Sequence, residues 1–490
     1  MFSSQSSRRP WIYRATLGLV AIFALFWLYC ASTNWITDSE FWPITLAGHW
    51  DQWKQHPSLL YKAVFHASLS WIYFLELGSV QHLKFARFFY ALLGLVFFFL
   101  FYRLCCKFLG YSRALILTLL LGMTVTGFSQ IGVIRSDFLA SLWALTGLVV
   151  YHSNRLASSL KLGLLILLGA LMFFSTPKSV ILLAAFLPLV VIQSFTKFSL
   201  RFFNWILAPL TFGASLFWLF DQALDRKLTI AMARALAHTA ETHSIVASWN
   251  SKYQFVEWYL KHDSLLIGLL VIALFVQTFL GFRNHDRARI GYALFGFGLI
   301  AIFVFHEPKL PFFLGSLLPF LILSALPTLQ EIPTRFYLLI TGLFLVLIPI
   351  LGKFPYYYDA YHAQIEVIRR LENVARAHPD LRVFDGLQLL PRSATLPLTF
   401  VGPFDPSTNA ATMKFLKANP PDMLVHTARV QNLEPDFTPF MVVHYESKGP
   451  GYWVRKGYAF DQDLQDLPLS MLLFGYVSPG QSAALAENPK

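Results

Sequence analysis

The sequence predicts an all-α polytopic membrane bundle of about eleven transmembrane helices, followed by a small C-terminal α/β domain on the extracytoplasmic side. Three observations predict it. Only 13% of the 490 residues are charged and 56% are hydrophobic, with a mean hydropathy of +0.53, whereas soluble domains carry roughly 25% charged residues. Apolar runs of near-spanning length recur up to residue 352 and then stop. Lys and Arg are dense in every second connection between those runs and sparse in the others.

A span needs roughly 20 mostly apolar residues. Such runs fall at 13–31, 85–104, 114–134, 137–152, 162–175, 179–196, 203–220, 264–282, 290–305, 310–328 and 335–352. Residues 1–31 join a basic start (Arg8, Arg9 and Arg14) to the first run without a convincing small-x-small cleavage site, and read as an uncleaved signal anchor. With the N-terminus cytoplasmic, the inner connections hold Arg103, Lys107 and Arg113, then Arg155 and Lys161, Lys197 and Arg201, Arg283, Arg287 and Arg289, and Arg335. The short outer connections hold only Arg135, Lys178 and Lys309. This is the positive-inside pattern, and an odd number of spans then leaves the C-terminus outside. The setting is a cell (inner or plasma) membrane.

The same pattern accounts for the net charge of +12. No basic run or recognition motif supports nucleic-acid binding, so a nucleic-acid partner is excluded. Cys30, Cys105 and Cys106 lie in or beside apolar segments and form neither a disulfide framework nor a CxxC metal site.

The domain division is a transmembrane core over 1–352 with long external loops at 32–84 and 221–263, a soluble domain over 353–476 and a disordered tail over 477–490. The first loop holds the aromatic, amphipathic stretch LLYKAVFHASLSWIYFLELG, suited to the interface. The second has helical periodicity at Leu224, Leu228, Ala231 and Ala235, then Trp249, Tyr253, Trp258 and Tyr259. After Lys353, YYYDAYHAQIEVIRRLENVARAH predicts an amphipathic helix with Ile365, Ile368 and Leu371 on one face and a Glu366–Arg370 pair at the i,i+4 spacing. Strands are expected at LRVFD, LPLTFVG, DMLVHT, PFMVVHYES and GYWVRKG, and a helix at NAATMKFLKAN.

Charge near a membrane core is costly, so charged residues at the outer ends of spans are the functional candidates. Asp38 and Glu40 follow the first span in TDSE, where a general base would meet a membrane-bound substrate; span-boundary acids need not be more than that. His56 opens HPSLLY and by itself marks only a turn. Arg87, Arg135 with Asp137, Lys178, His306 and Lys309 put cations on one face of the bundle. Singly each reads as an interfacial side chain whose charge reaches for water. Together they suit a phosphate or diphosphate headgroup. His238, His243 and His262 are not spaced as a helical ligand pair, so no metal site is assigned there and a divalent metal stays an open option. No P-loop, GxGxxG or GxSxG is present.

In order along the chain, TDSE, HPSLLY, FARFFYALLGLVFFFLFYRL, KFLGYSR, IRSDFLASLWALTG and STPKS resemble the membrane core of the polyprenyl-phosphate-sugar-dependent glycosyltransferases, the GT-C superfamily. That superfamily includes protein O-mannosyltransferases and the aminoarabinose transferase of lipid A. FHEPKLPFFLGSLLPFL is similar to its late external Lys segment, and DMLVHT…VVHYESKGPGYWVRK to the small domain closing many bacterial members. The family's adjacent Asp-Glu is here Asp-Ser-Glu, its HPP is HPS, and the glycine usual beside Pro177 and Lys178 is missing.

The resemblance implies transfer of a sugar from a polyprenyl-phosphate donor to an acceptor hydroxyl of a lipid, glycan or protein outside the cytoplasm, with inversion. It implies Asp38 as general base, Glu40 orienting substrate or replacing Asp38, and Asp137 holding Arg135. No cofactor is required beyond a possible divalent metal. The second reading is a transporter or flippase for a lipid-linked or anionic substrate, which the lack of inverted-repeat symmetry disfavours.

Overall fold

The computed structural model describes residues 10–34, 36, 40–52, 58–75, 77–153, 155–176, 256–305, 311–350, 358–390, 406–427, 429–460 and 464–467, with scattered positions between 179 and 229. Helices are numbered through these. The expected spans at 179–196 and 203–220, most of the loop at 221–263, the run at 396–402 and the tail at 477–490 lie wholly or largely outside the described residues.

The first apolar run is α1 (Pro10–Thr33), whose Ser32 and Thr33 hydroxyls both donate to the Tyr29 carbonyl and satisfy its last turn. Three short helices follow in the first loop: α2 (Phe41–Leu46), α3 (Ser58–Tyr61) and α4 (Ala63–Tyr73). They fold onto the bundle. Ser70 Oγ donates to the Ala47 carbonyl (2.9 Å), and Ser68 Oγ shares a 2.8 Å hydrogen bond with Tyr90 Oη.

Tyr90 belongs to α5 (Ser79–Leu109), the longest helix described. Its 31 residues run about 46 Å at 1.5 Å per residue, more than the roughly 30 Å of a hydrocarbon core. Phe85, Phe88, Leu92, Val96 and Phe99 make an exposed stripe, while Leu83, Tyr90, Ala91, Phe97 and Phe101 are buried. Large apolar side chains left exposed at i, i+3, i+7, i+11 and i+14 suit lipid as the solvent. The helix stops at Gly110, whose φ of +76° is one that L side chains rarely adopt.

The expected span at 114–134 is split into α6 (Tyr111–Met123) and α7 (Val125–Gln130). Capping is the cause. Thr124 Oγ1 accepts from Gly127 N (2.9 Å), and the buried Asp263 carboxylate accepts from Val125 N and Thr126 N, both at 2.9 Å. Then come α8 (Ser136–Tyr151), α9 (Ser158–Ser175), α10 (Glu257–Arg283), α11 (Arg287–Phe305), α12 (Pro311–Ser324), α13 (Leu326–Leu329) and α14 (Thr334–Ile350). Among the described residues, three helices are long and apolar enough to cross a membrane (Ser79–Leu109, Tyr259–Arg283 and Arg287–Val304), and shorter apolar helices accompany them. The architecture is that of a polytopic membrane helical protein.

The connections assigned to the inside meet at the far end of the bundle from Arg87. Arg113 Nη1 donates to the Gln330 and Ile332 carbonyls (2.7 and 3.2 Å), and Arg289 pairs with Asp286 (3.2 Å) and Glu331. Tyr292 Oη shares a 2.8 Å hydrogen bond with His152 Nε2, and Lys107 donates to the His152 carbonyl.

After the bundle comes α15 (Tyr358–Ala377), followed by β1 (Val383–Phe384), α16 (Pro406–Ala418), β2 (Met423–Val425), α17 (Phe437–His444), β3 (Tyr445–Gly449) and β4 (Tyr452–Arg455). The sheet order is β1-β2-β4-β3, with β1 and β2 parallel and the other pairs antiparallel. Two expectations are corrected. Residues 439–444 form a helix rather than a strand, because Phe437, Phe440 and Met441 recur at a helical period and are buried. Arg370 pairs with Asp466 instead of Glu366, which faces Arg369 at 3.8 Å; exposed i,i+4 pairs contribute only about 0.3–0.5 kcal/mol, too little to fix a long side chain.

α15 joins the two parts. Ile365, Ile368 and Leu371 belong to one buried cluster that also contains Trp27 and Tyr90 of the bundle and Met423 and Val454 of the sheet. Glu372 Oε1 accepts from Ser79 N (3.1 Å) at the start of α5, where a carboxylate also meets the positive end of the helix dipole.

Asp422 ties three strands. It accepts from Arg382 Nε (3.0 Å) before β1 and from Arg455 Nη2 (2.8 Å) in β4. Burial pushes its carboxyl up, but the hydrogen bonds and charge of Arg382, with Arg455, outweigh this and leave it below the usual carboxylate range. A depressed folded value means the stabilisation is complete above the unfolded pKa of about 3.9 and is lost as pH falls through the folded value. Melting temperature measured from about pH 7 down to pH 3 should therefore fall more steeply for the native chain than for Asp422→Asn; parallel profiles would contradict this coupling.

Candidate active site

After α1 the next described helix is α2, whose N-cap residue is Glu40. Glu40 is 1% exposed and Arg87, two turns into α5, is 5% exposed. Arg87 Nη2 lies 2.6 Å from Glu40 Oε2, and Arg87 Nη1 donates to the Asn34 carbonyl. One guanidinium thus grips both sides of the acidic stretch. A charge-assisted pair this short and this buried has little water to screen it.

Two residues of α15 complete the frame. The Arg87 guanidinium carbon stands 5.7 Å from the centre of the Tyr361 ring, a cation–π arrangement. Burial raises the Tyr361 phenol while the Arg87 charge pulls it down; the net shift is upward, so the ring stays neutral. Gln364 Oε1 accepts from Ile36 N (2.8 Å) and Gln364 Nε2 donates to the Ile36 carbonyl (3.0 Å).

A small pocket opens beside the pair. Ala31, Asn34, Glu40, Arg87, Phe128, Ser129, Ile131, Gly132 and Val133 line it, so the ends of α1, α5 and α7 and the turn before α8 converge there. That turn needs glycine. Gly132 has φ +85°, and a Cβ would stand 2.9 Å from the Trp27 ring and 3.2 Å from the Tyr90 carbonyl.

The structure thus brings together two expected residues, Glu40 and Arg87. Arg135 is half-buried at the N-cap of α8, two residues after the pocket-lining Val133, and Asp137 is half-buried in the first turn of α8, where an acid complements the helix dipole. Arg135 and Asp137 form no ion pair with each other among the described residues. Asp38, His56, Lys178, His306 and Lys309 lie outside the described residues. Among the described residues no group of three or more His, Cys, Asp or Glu side chains is placed to hold a metal ion.

Sequence reasoning missed Tyr361, Gln364 and Asp263. Gln364 falls three residues after Tyr361 and four before Ile368, a polar side chain within the apolar stripe of α15. That was the available signal. Asp263, the last residue of the loop expected over 221–263, lies inside α10, which begins at Glu257.

No protein-family model matches the sequence, and no curated protein matches it. The fold is similar to that of a solved membrane protein. That protein is ArnT from Cupriavidus metallidurans. Its crystal structure bound to undecaprenyl phosphate matches with a TM-score of 0.57 and 13% identity, covering 93% of this chain and 100% of that one. The apo structure matches with a TM-score of 0.57 and 12% identity, covering 91% and 100%.

Removing one partner of a buried ion pair strands the other charge at a cost of about 3–5 kcal/mol. Glu40→Gln should therefore lower the melting temperature clearly, and much less when made in an Arg87→Gln background. Additive losses in that double-mutant cycle would mean that the pair is not coupled.

Proposed function

We propose that the protein is an integral-membrane glycosyltransferase that moves a sugar from a polyprenyl-phosphate donor to an acceptor hydroxyl of a lipid, glycan or protein on the extracytoplasmic face, with inversion. The observation that carries this reading is the buried Glu40–Arg87 pair beside a pocket at one end of a bundle with the GT-C fold. The undecaprenyl phosphate bound in the ArnT structure supports a polyprenyl phosphate as the lipid partner.

In this reading Asp38 is the general base. It takes the acceptor hydroxyl proton as the acceptor oxygen bonds to C1 of the sugar, while the bond from C1 to the donor phosphate oxygen breaks and polyprenyl phosphate leaves with the electron pair. Attack opposite the leaving group inverts C1. The cations Arg135, Lys178, His306 and Lys309 stabilise the charge that gathers on the phosphate. His56 and Asp137 contribute to substrate binding.

Glu40, already committed to Arg87 at 2.6 Å, positions the acidic loop rather than replacing Asp38. In this reading the N-terminus is cytoplasmic, the loops at 32–84 and 221–263 are external, and residues 353–476 are an extracytoplasmic domain. A donor already activated by phosphate needs no nucleotide, in keeping with the absence of nucleotide motifs in the sequence.

Loss of a general base costs roughly 10²–10⁴ in rate. Purified Asp38→Asn should fold like the native protein and lose transfer of labelled sugar from polyprenyl phosphate by at least about 100-fold. Retained transfer would remove Asp38 from the mechanism.

A further inference from the structure

The acidic stretch after α1 is held by side chains from two distant parts of the chain. From α5, Arg87 grips the Asn34 carbonyl and the Glu40 carboxylate. From α15, Gln364 makes a paired set of hydrogen bonds with the backbone of Ile36, using both its amide oxygen and its amide nitrogen, across 328 residues of sequence. Tyr361, one turn before Gln364 on the same helix, places its ring 5.7 Å from the Arg87 guanidinium carbon. Gln364 is 0% and Tyr361 3% exposed, so neither contact competes with bulk water. In the chain, Asp38 lies between the Ile36 clamp and the Glu40 clamp.

We infer that Gln364 and Tyr361 are positioning residues for the transfer reaction: α15 fixes the backbone two residues before Asp38 and the cation that fixes Glu40, so the segment after the membrane bundle sets the geometry of the acidic loop. The inference rests on the transferase reading above. The chemistry suits the task. A glutamine side chain reproduces the donor and acceptor of a peptide group, so it satisfies both polar groups of a buried loop residue without adding charge to a site that already holds a carboxylate and a guanidinium. A misplacement of about 1 Å at a reacting group costs on the order of 100-fold, which makes a backbone clamp beside the base matter for rate. The clamp is also anchored. Glu372, two turns further along α15, accepts from Ser79 N at the start of α5, so the two helices that hold the loop are tied to each other.

The test uses the full-length purified protein with a labelled polyprenyl-phosphate sugar. Gln364→Ala should lower kcat by about 10- to 100-fold with KM for the donor changed far less, and should shift the acid limb of the kcat–pH profile that reports the base. Glu366→Gln, on the exposed face of α15, should leave both unchanged. Hydrogen exchange supplies a readout independent of activity: the Ile36 amide should be protected in the native protein and lose that protection in Gln364→Ala and in Gln364→Leu, while the α5 amides stay protected. An active native enzyme whose Gln364→Ala variant keeps its kcat and pH profile overturns the inference, and so does a fast-exchanging Ile36 amide in the native protein. A native protein without any transfer activity overturns the transferase reading instead.

Discussion

A carboxylate and a guanidinium 2.6 Å apart, both nearly sealed from water, are the constraint on which the rest of the structure depends. Taking either charge out of water alone costs several kcal/mol, and only close pairing with further hydrogen bonds repays it. Arg87 meets that demand with the Glu40 carboxylate, the Asn34 carbonyl and the face of Tyr361. Those partners belong to the end of α1, the start of α2 and the first turn of α15. One buried cation therefore sets the mutual placement of α1, α2 and α15 around α5.

α5 carries this cation, and its length explains how. Its apolar stripe from Phe85 to Phe99 faces outward, while its opposite face packs against α1 through Gly94, where the Trp27 ring would collide with any Cβ. At 31 residues it exceeds a bilayer's hydrocarbon thickness, so its outer turns can be covered by protein rather than lipid. Glu372 caps those turns and Tyr361 packs over Arg87. In the proposed orientation this puts the Glu40–Arg87 pair at the extracytoplasmic end of α5.

The apolar helices were legible in the sequence because lipid selects apolar runs of near-spanning length. The residues assigned to the inner side do meet, as Arg113, Arg289 and Glu331 show. The strands at 383–384, 423–425 and 452–455 were legible from short apolar runs. The break at Thr124 was not, because its cause is a carboxylate on α10, far along the chain. Residues 439–444 were misread since a short apolar run fits either period until burial chooses. In the site, charge patterning pointed to Glu40 and Arg87 separately. It could not pair them, because an ion pair between residues 47 apart depends on how α1 and α5 pack. Gln364 stands out as a polar residue in the apolar stripe of α15, but neither it nor Tyr361 could be tied to the site from sequence, for the same reason.

The measurement that tests the account most directly follows a doubly labelled donor, sugar and polyprenyl phosphate carrying different labels, with the purified protein in sealed vesicles. The account predicts that the two labels part, with the sugar moving covalently to the acceptor and free polyprenyl phosphate accumulating in equal amount. Passage of the intact donor from one leaflet to the other, with both labels still joined, would contradict it and assign the same fold to transport.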